Sequence, residues 1–138
     1  MSARAAAGGA VPERGEAVVA DEPADGAGGA RGEAPPLTRL DAGVLGAELG
    51  ERATLVQFST AFCQPCRATR RVLADVAALV PGVGHVEIDA EARLDLVRAA
   101  GVARTPTVLI LDREGRVALR AAGAPRKADV LAGLARAL

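Results

Sequence analysis

Apolar residues are scarce before residue 37 of this chain and fall into two regular spacings after it. Residues 1–36 are mostly Ala, Gly and Pro with scattered charges, and Val11, Val18 and Val19 are their only branched apolar residues. That composition does not offset the entropy lost on ordering, so residues 1–36 are expected to form a disordered extension and residues 37–138 the folded domain. Asp41 is suited to cap a short helix, AGVLGAEL (42–49), which Gly50 would end. The continuous β-prone run ATLVQFS (53–59) predicts a central strand buried on both faces. Helical spacing follows in CRATRRVLADVAALV (66–80), with Val72, Leu73, Val76, Leu79 and Val80 on one face and Arg67, Arg71 and Asp75 opposite; Pro81 and Gly82 stop it.

A second strand, HVEID (85–89), and a helix, EARLDLVRAAG (91–101), come next. TVLILD (107–112) then turns through REG into a fourth strand, RVALRAAG (116–123). Pro125 introduces a last helix with Val130, Leu131, Leu134 and Leu138 inward. Strand–helix–strand alternation predicts parallel pairing, and the tight turn at 112–115 adds one antiparallel pair. The fold class expected is therefore α/β, a mixed central sheet with helices on both faces.

Composition narrows what such a domain could do. With 17 basic and 17 acidic residues the 138-residue chain has no net charge to draw it to nucleic acid or an anionic membrane. Phe58 and Phe62 are the only aromatics, too few for a base-stacking surface. No apolar run approaches the ~18 residues of a membrane span. Acidic residues and prolines interrupt the first residues, so no export signal is expected and the cytoplasm is the default compartment.

Both cysteines fall within FSTAFCQPCRATRRVL (58–73), with Gln64 and Pro65 between Cys63 and Cys66. A zinc site needs four ligands, and His85 is the one other good candidate. Two inert buried thiols or a static disulfide are further readings. The context favours a redox pair. Cys63 falls where a buried strand ends and a helix begins, so unpaired N–H groups and the positive helix end would favour its thiolate. Pro65 suits a first helical turn, and Cys66 follows one turn later, where it could resolve a mixed disulfide. Arg67, Arg70 and Arg71 add positive charge, or simply form a solvated face.

Over residues 37–138 the chain resembles the thioredoxin family, through LVQFSTAFCQPC, VEID, GVARTPTVLIL, DREGRV and GAP. The resemblance implies a thioredoxin-like fold and makes Thr105–Pro106 a cis bond opposite the active-site sulfurs. It implies that Cys63 is the nucleophile and Cys66 the resolving cysteine. Phe62, Thr105 and Pro106 would then shape the client-binding surface, with an extended client segment pairing with the Thr105 backbone.

The departures from the family are specific. Phe62 and Ser59 stand where tryptophans are usual; Phe62 can still cover the disulfide with an apolar face, and Ser59 cannot. Gln64–Pro65 replaces the usual Gly-Pro and would shift the redox balance. Gln57 aligns with a buried aspartate that manages the second cysteine's proton, a task an amide cannot perform. Two readings stand: Gln57 is a buried amide bonded to its neighbours, or His85 takes over proton transfer. His85 aligns with the family's lysine beside that aspartate; its plainer reading is a partly exposed residue at a strand edge.

The function implied is reduction of disulfides in client proteins by a Cys63/Cys66 dithiol, with no organic cofactor or metal. A thioredoxin-reductase-type flavoprotein would supply electrons to what is expected to be a monomer. An adaptor module with weak redox activity and a disulfide oxidase or isomerase are the alternatives.

Overall fold

The computed structural model of the chain describes residues 35–138. The disordered extension expected for residues 1–36 thus lies, for residues 1–34, outside the described residues. In chain order the elements are α1 (Ala42–Leu45), β1 (Ala53–Ser59), α2 (Gln64–Leu79), β2 (Val83–Asp89), α3 (Leu94–Ala99), β3 (Thr107–Asp112), β4 (Val117–Ala122) and α4 (Lys127–Ala137). The four strands form one sheet in the order β2-β1-β3-β4.

All seven residues of β1 are buried, as the unbroken apolar run predicts. Alternation along the strand divides the core into two layers. Ala53 and Leu55 pack with Leu73 and Val76 of α2 and with Val130 and Leu134 of α4. Val56 and Phe58 point the other way, into Leu40, Leu45 and Leu96 beside α1 and α3. The same alternation sends Gln57 and Ser59 to the α2 side.

Three expectations need correction. Helix α1 has only four residues: Asp41 caps it as predicted, but Gly46, at φ 74°, ends it rather than Gly50. Gly50 serves a different purpose, because a Cβ there would run into the backbone of Ala53 and Gly84. Second, the sheet holds two antiparallel pairs, not one. β1 runs parallel to β2, while β3 is antiparallel to β1 as well as to β4. The connection after β2 contains only a six-residue helix, α3. Six helical residues rise roughly 9 Å, short of the roughly 20 Å length of a strand like β2. The chain re-enters the sheet at the end where it left, and residues 102–106 come to lie beside the turn after β1.

Third, the inward stripes are narrower than the sequence suggests. Leu79, Leu131 and Leu138 are exposed. Leu79 is the last residue of α2, and Leu138 is the C-cap of α4. In α4 the buried residues are Val130, Gly133 and Leu134, and Gly133 lets the helix approach Leu119 and Ile110 closely.

The Gly50 contact makes a stability prediction. The obstructing groups are backbone and cannot swing aside, so Gly50→Ala should lower stability by about 1–3 kcal/mol. In urea this would appear as a lower midpoint with an unchanged slope.

Candidate active site

β1 stops at Ser59, three turn residues follow, and Cys63 caps α2 with an extended backbone (φ −110°, ψ 106°). Its Sγ accepts the Cys66 backbone N–H at 3.2 Å. This is the interaction a helix start offers an anion: a donor otherwise unpaired, at the positive end of the helix dipole. Pro65 occupies the first turn of α2, where its missing N–H is not needed.

Cys63 and Cys66 are joined in a disulfide, their Cα atoms 5.2 Å apart across one helical turn. They differ sharply in exposure. Cys63 is half-buried, whereas Cys66 is wholly buried. Gln64 and Pro65 are both exposed between them. Phe62 does not cover the disulfide as expected; its ring is 96% exposed and stands into solvent beside Cys63.

The β3 entry loop meets the turn that precedes Cys63. Thr105–Pro106 is a cis peptide, and Pro106 is buried. The loop is held by Thr107 Oγ1 donating to the Arg104 carbonyl (2.5 Å) and by Gly123 N–H donating to the Pro106 carbonyl (2.8 Å). Thr105 Oγ1 lies 3.4 Å from Thr60 Oγ1, tying this loop to the turn before Phe62.

Beneath Cys66 lies Gln57, fully buried. Its Nε2 donates to the Cys66 carbonyl at 2.8 Å, so the amide fastens the start of α2 to the middle of the sheet. Its Oε1 has no partner among the described residues, and the same is true of Thr69 Oγ1 and His85 Nε2. His85 sits on β2, an edge strand, opposite Leu55 and two residues before Glu87, which pairs with Gln57. Burial pulls its imidazole below the ordinary value; nearby Glu87 opposes that and Arg70 reinforces it. Burial thus favours the uncharged imidazole.

One cluster is not legible in the sequence. Glu87 accepts Ser59 Oγ at 2.6 Å and is clasped by Arg70 through Nε (2.8 Å) and a terminal nitrogen (2.7 Å). The Arg70 hydrogen bonds hold the Glu87 carboxyl below its ordinary value against a partial burial that would raise it, with Ser59 assisting. Arg67, Arg70 and Arg71 are all exposed, and Arg70 is set apart by its pairing with Glu87. Alternation places Ser59 and Glu87 on the α2 side, but only the helix packing brings Arg70 above them.

The family model for thioredoxin matches residues 45–136, two-thirds of the chain and every element from the last residue of α1 to α4. The chain belongs to the thioredoxin family. Among curated proteins it is similar to the Arabidopsis thaliana putative thioredoxin H10, 29% identical over 91 residues. That match covers 64% of this chain and 58% of the relative, so the chain spans a little over half of that relative's length. Solved structures agree on the fold. Fasciola hepatica thioredoxin superposes with a TM-score of 0.57 at 21% identity, covering 64% of this chain and 84% of that one. Chloroplastic thioredoxin z gives 0.56 at 27% identity, covering 62% and 78%. A cysteine pair at disulfide distance on a thioredoxin fold supports thiol–disulfide oxidoreductase chemistry.

The Glu87 cluster carries a pH prediction. A carboxyl whose folded value is depressed stabilises the fold fully above its unfolded value and loses that contribution as acid protonates it. Glu87→Gln should therefore lower the urea midpoint at pH 7. The gap from wild type should close as the pH falls below the ordinary glutamate value of 4.5. A gap of equal size at pH 7 and pH 3 would contradict it.

Proposed function

We propose that this thioredoxin-family domain reduces disulfides in client proteins through Cys63 and Cys66. The observation that carries the reading is the asymmetry of the pair: a half-buried sulfur at a helix start and a fully buried one a turn later. In the reduced protein the Cys63 thiolate attacks a client disulfide. One client sulfur joins Cys63 in a mixed disulfide, and the other leaves as a thiolate that takes up a proton. Cys66 then loses its proton, and its thiolate attacks Cys63 Sγ. The Cys63–Cys66 disulfide forms and the second client thiol departs, so the client gains two electrons and the protein loses them. Phe62, Thr105 and Pro106 border the attacked sulfur, and the Thr105 backbone is suited to pair with an extended client segment.

Gln57 cannot remove the Cys66 proton. We assign that step to His85, which lies on the same side of the sheet as Gln57 and whose uncharged form burial favours. Gln64 and Pro65 bear on the redox balance of the pair. Re-reduction would come from a thioredoxin-reductase-type flavoprotein, with the domain acting as a cytoplasmic monomer. Gln57 also favours a second reading, an adaptor with slow redox chemistry, because it leaves no acid directly beneath the resolving cysteine.

The deciding measurement is the reduction potential of the pair, by equilibration in thiol buffers and alkylation mass shift. A value near roughly −270 mV is expected; one near about −180 mV would instead indicate an oxidase or isomerase. Cys66→Ser should accumulate mixed disulfides with oxidised clients, and Cys63→Ser should form none. An adaptor would resolve so slowly that Cys66→Ser and wild type trap alike. For His85→Ala, slower resolution with an altered profile between pH 6 and 8 is expected. An unchanged rate across that range would remove His85 from the mechanism.

A further inference from the structure

Beside the turn that carries Cys63, a shallow groove of about 310 Å³ is lined by Ser59, Thr60, Ala61, Arg70, Glu87 and Asp89. It exists because Ser59 is small. Its floor is the Ser59–Glu87–Arg70 cluster, in which the guanidinium cancels the Glu87 charge and both carboxylate oxygens already accept hydrogen bonds. The charge left over belongs to Asp89, at the end of β2 directly in register with Ser59. Its Oδ1 accepts the Glu91 N–H at 2.9 Å, and no cation pairs with it among the described residues. Asp89 is exposed at the groove's rim, with Glu91 exposed beside it.

The groove is continuous with the place where a client would lie. Thr60 forms one of its walls and approaches Thr105, the residue whose backbone faces an extended client, to 3.4 Å between hydroxyl oxygens. A strand seated on Thr105 with its sulfur at Cys63 therefore passes the mouth of the groove. Side chains alternate along such a strand, so a long one near the client cysteine could reach in.

We propose that this groove is a specificity subsite that selects clients carrying a lysine or arginine close to the cysteine under attack. The inference rests on the reductase reading above and adds to it the chemistry of the preferred client. The cationic head would meet the Asp89 carboxylate, while its aliphatic stem lies along Ala61. Because the rim is solvent-exposed, the preference is electrostatic, modest in size and screened by salt. Arg67 and Arg104, which do not line the groove, are also exposed. If they governed client choice, acidic clients would be favoured instead.

Three synthetic peptide disulfides, identical except for Arg, Ala or Glu two residues from the cysteine, separate these cases. The readout is the ratio of kcat/KM values for each form of the protein. For wild type at low salt, the Arg peptide should be reduced about fivefold faster than the Glu peptide, as exposed ion pairs allow, and 0.5 M salt should shrink that ratio towards one. In Asp89→Asn, which keeps a side-chain oxygen for the Glu91 N–H, the ratio should fall towards one. In Asp89→Lys it should invert. An equal rate on all three peptides in wild type, a preference for Glu, or an Arg preference that survives both substitutions would overturn the subsite alone. Failure to reduce any of the three would overturn the reductase reading and the subsite with it.

Discussion

Where β1 stops decides everything at the redox end of this protein. The strand is buried along its whole length and paired on both sides, so it cannot shift without breaking two ladders at once. Its last residue, Ser59, fixes the start of the turn, and the turn fixes Cys63 as the cap of α2. A second tie prevents the helix from drifting, since Gln57 reaches from the middle of the strand to the Cys66 carbonyl. A buried amide donor on a helix carbonyl is neutral and does not depend on pH, so the geometry of the cysteine pair is held the same way in acid and in base.

Around that fixed point the α2 side of the strand carries two uncharged polar side chains, Gln57 and Ser59. Ser59 leaves room that a larger residue would fill, and the room is closed on one side by the Glu87–Arg70 pair. The buried position beneath Cys66 carries an amide that holds but does not titrate. The ionisable groups nearest it on the sheet, His85 and Glu87, lie on the edge strand β2. The cis-proline loop completes the surface because α3 is too short to carry the chain back along the sheet, so β3 starts where β2 ended.

Much of this was legible in the sequence, for reasons that differ by element. ATLVQFS announces a buried strand because every residue is β-prone and no turn former interrupts it. TVLILD does the same, and its observed bounds match. The direction of β3 was not legible, because it depends on how far a connection travels rather than on any local preference. The exposed Leu79, Leu131 and Leu138 were misplaced because helical periodicity tells which side a residue faces, not whether a neighbour extends far enough to cover it. The strand-to-helix context puts Cys63 and Cys66 at the start of α2, and the family resemblance implies the cis bond before Pro106; both geometries are present. The clasp of Glu87 by Arg70 could not be found that way, since it joins residues 17 apart in sequence across a helix–sheet interface.

The two phenylalanines divide the molecule more cleanly than any other pair of residues. Phe58 is sealed in the core and Phe62 is almost wholly in solvent. With no tryptophan or tyrosine in the chain, these are its only benzene rings. Phe58 resonances report whether the sheet is intact, and Phe62 resonances report whether something rests on the redox surface. Loss of fold and occupation of the surface beside Cys63 therefore appear on separate rings, in one spectrum and without a label.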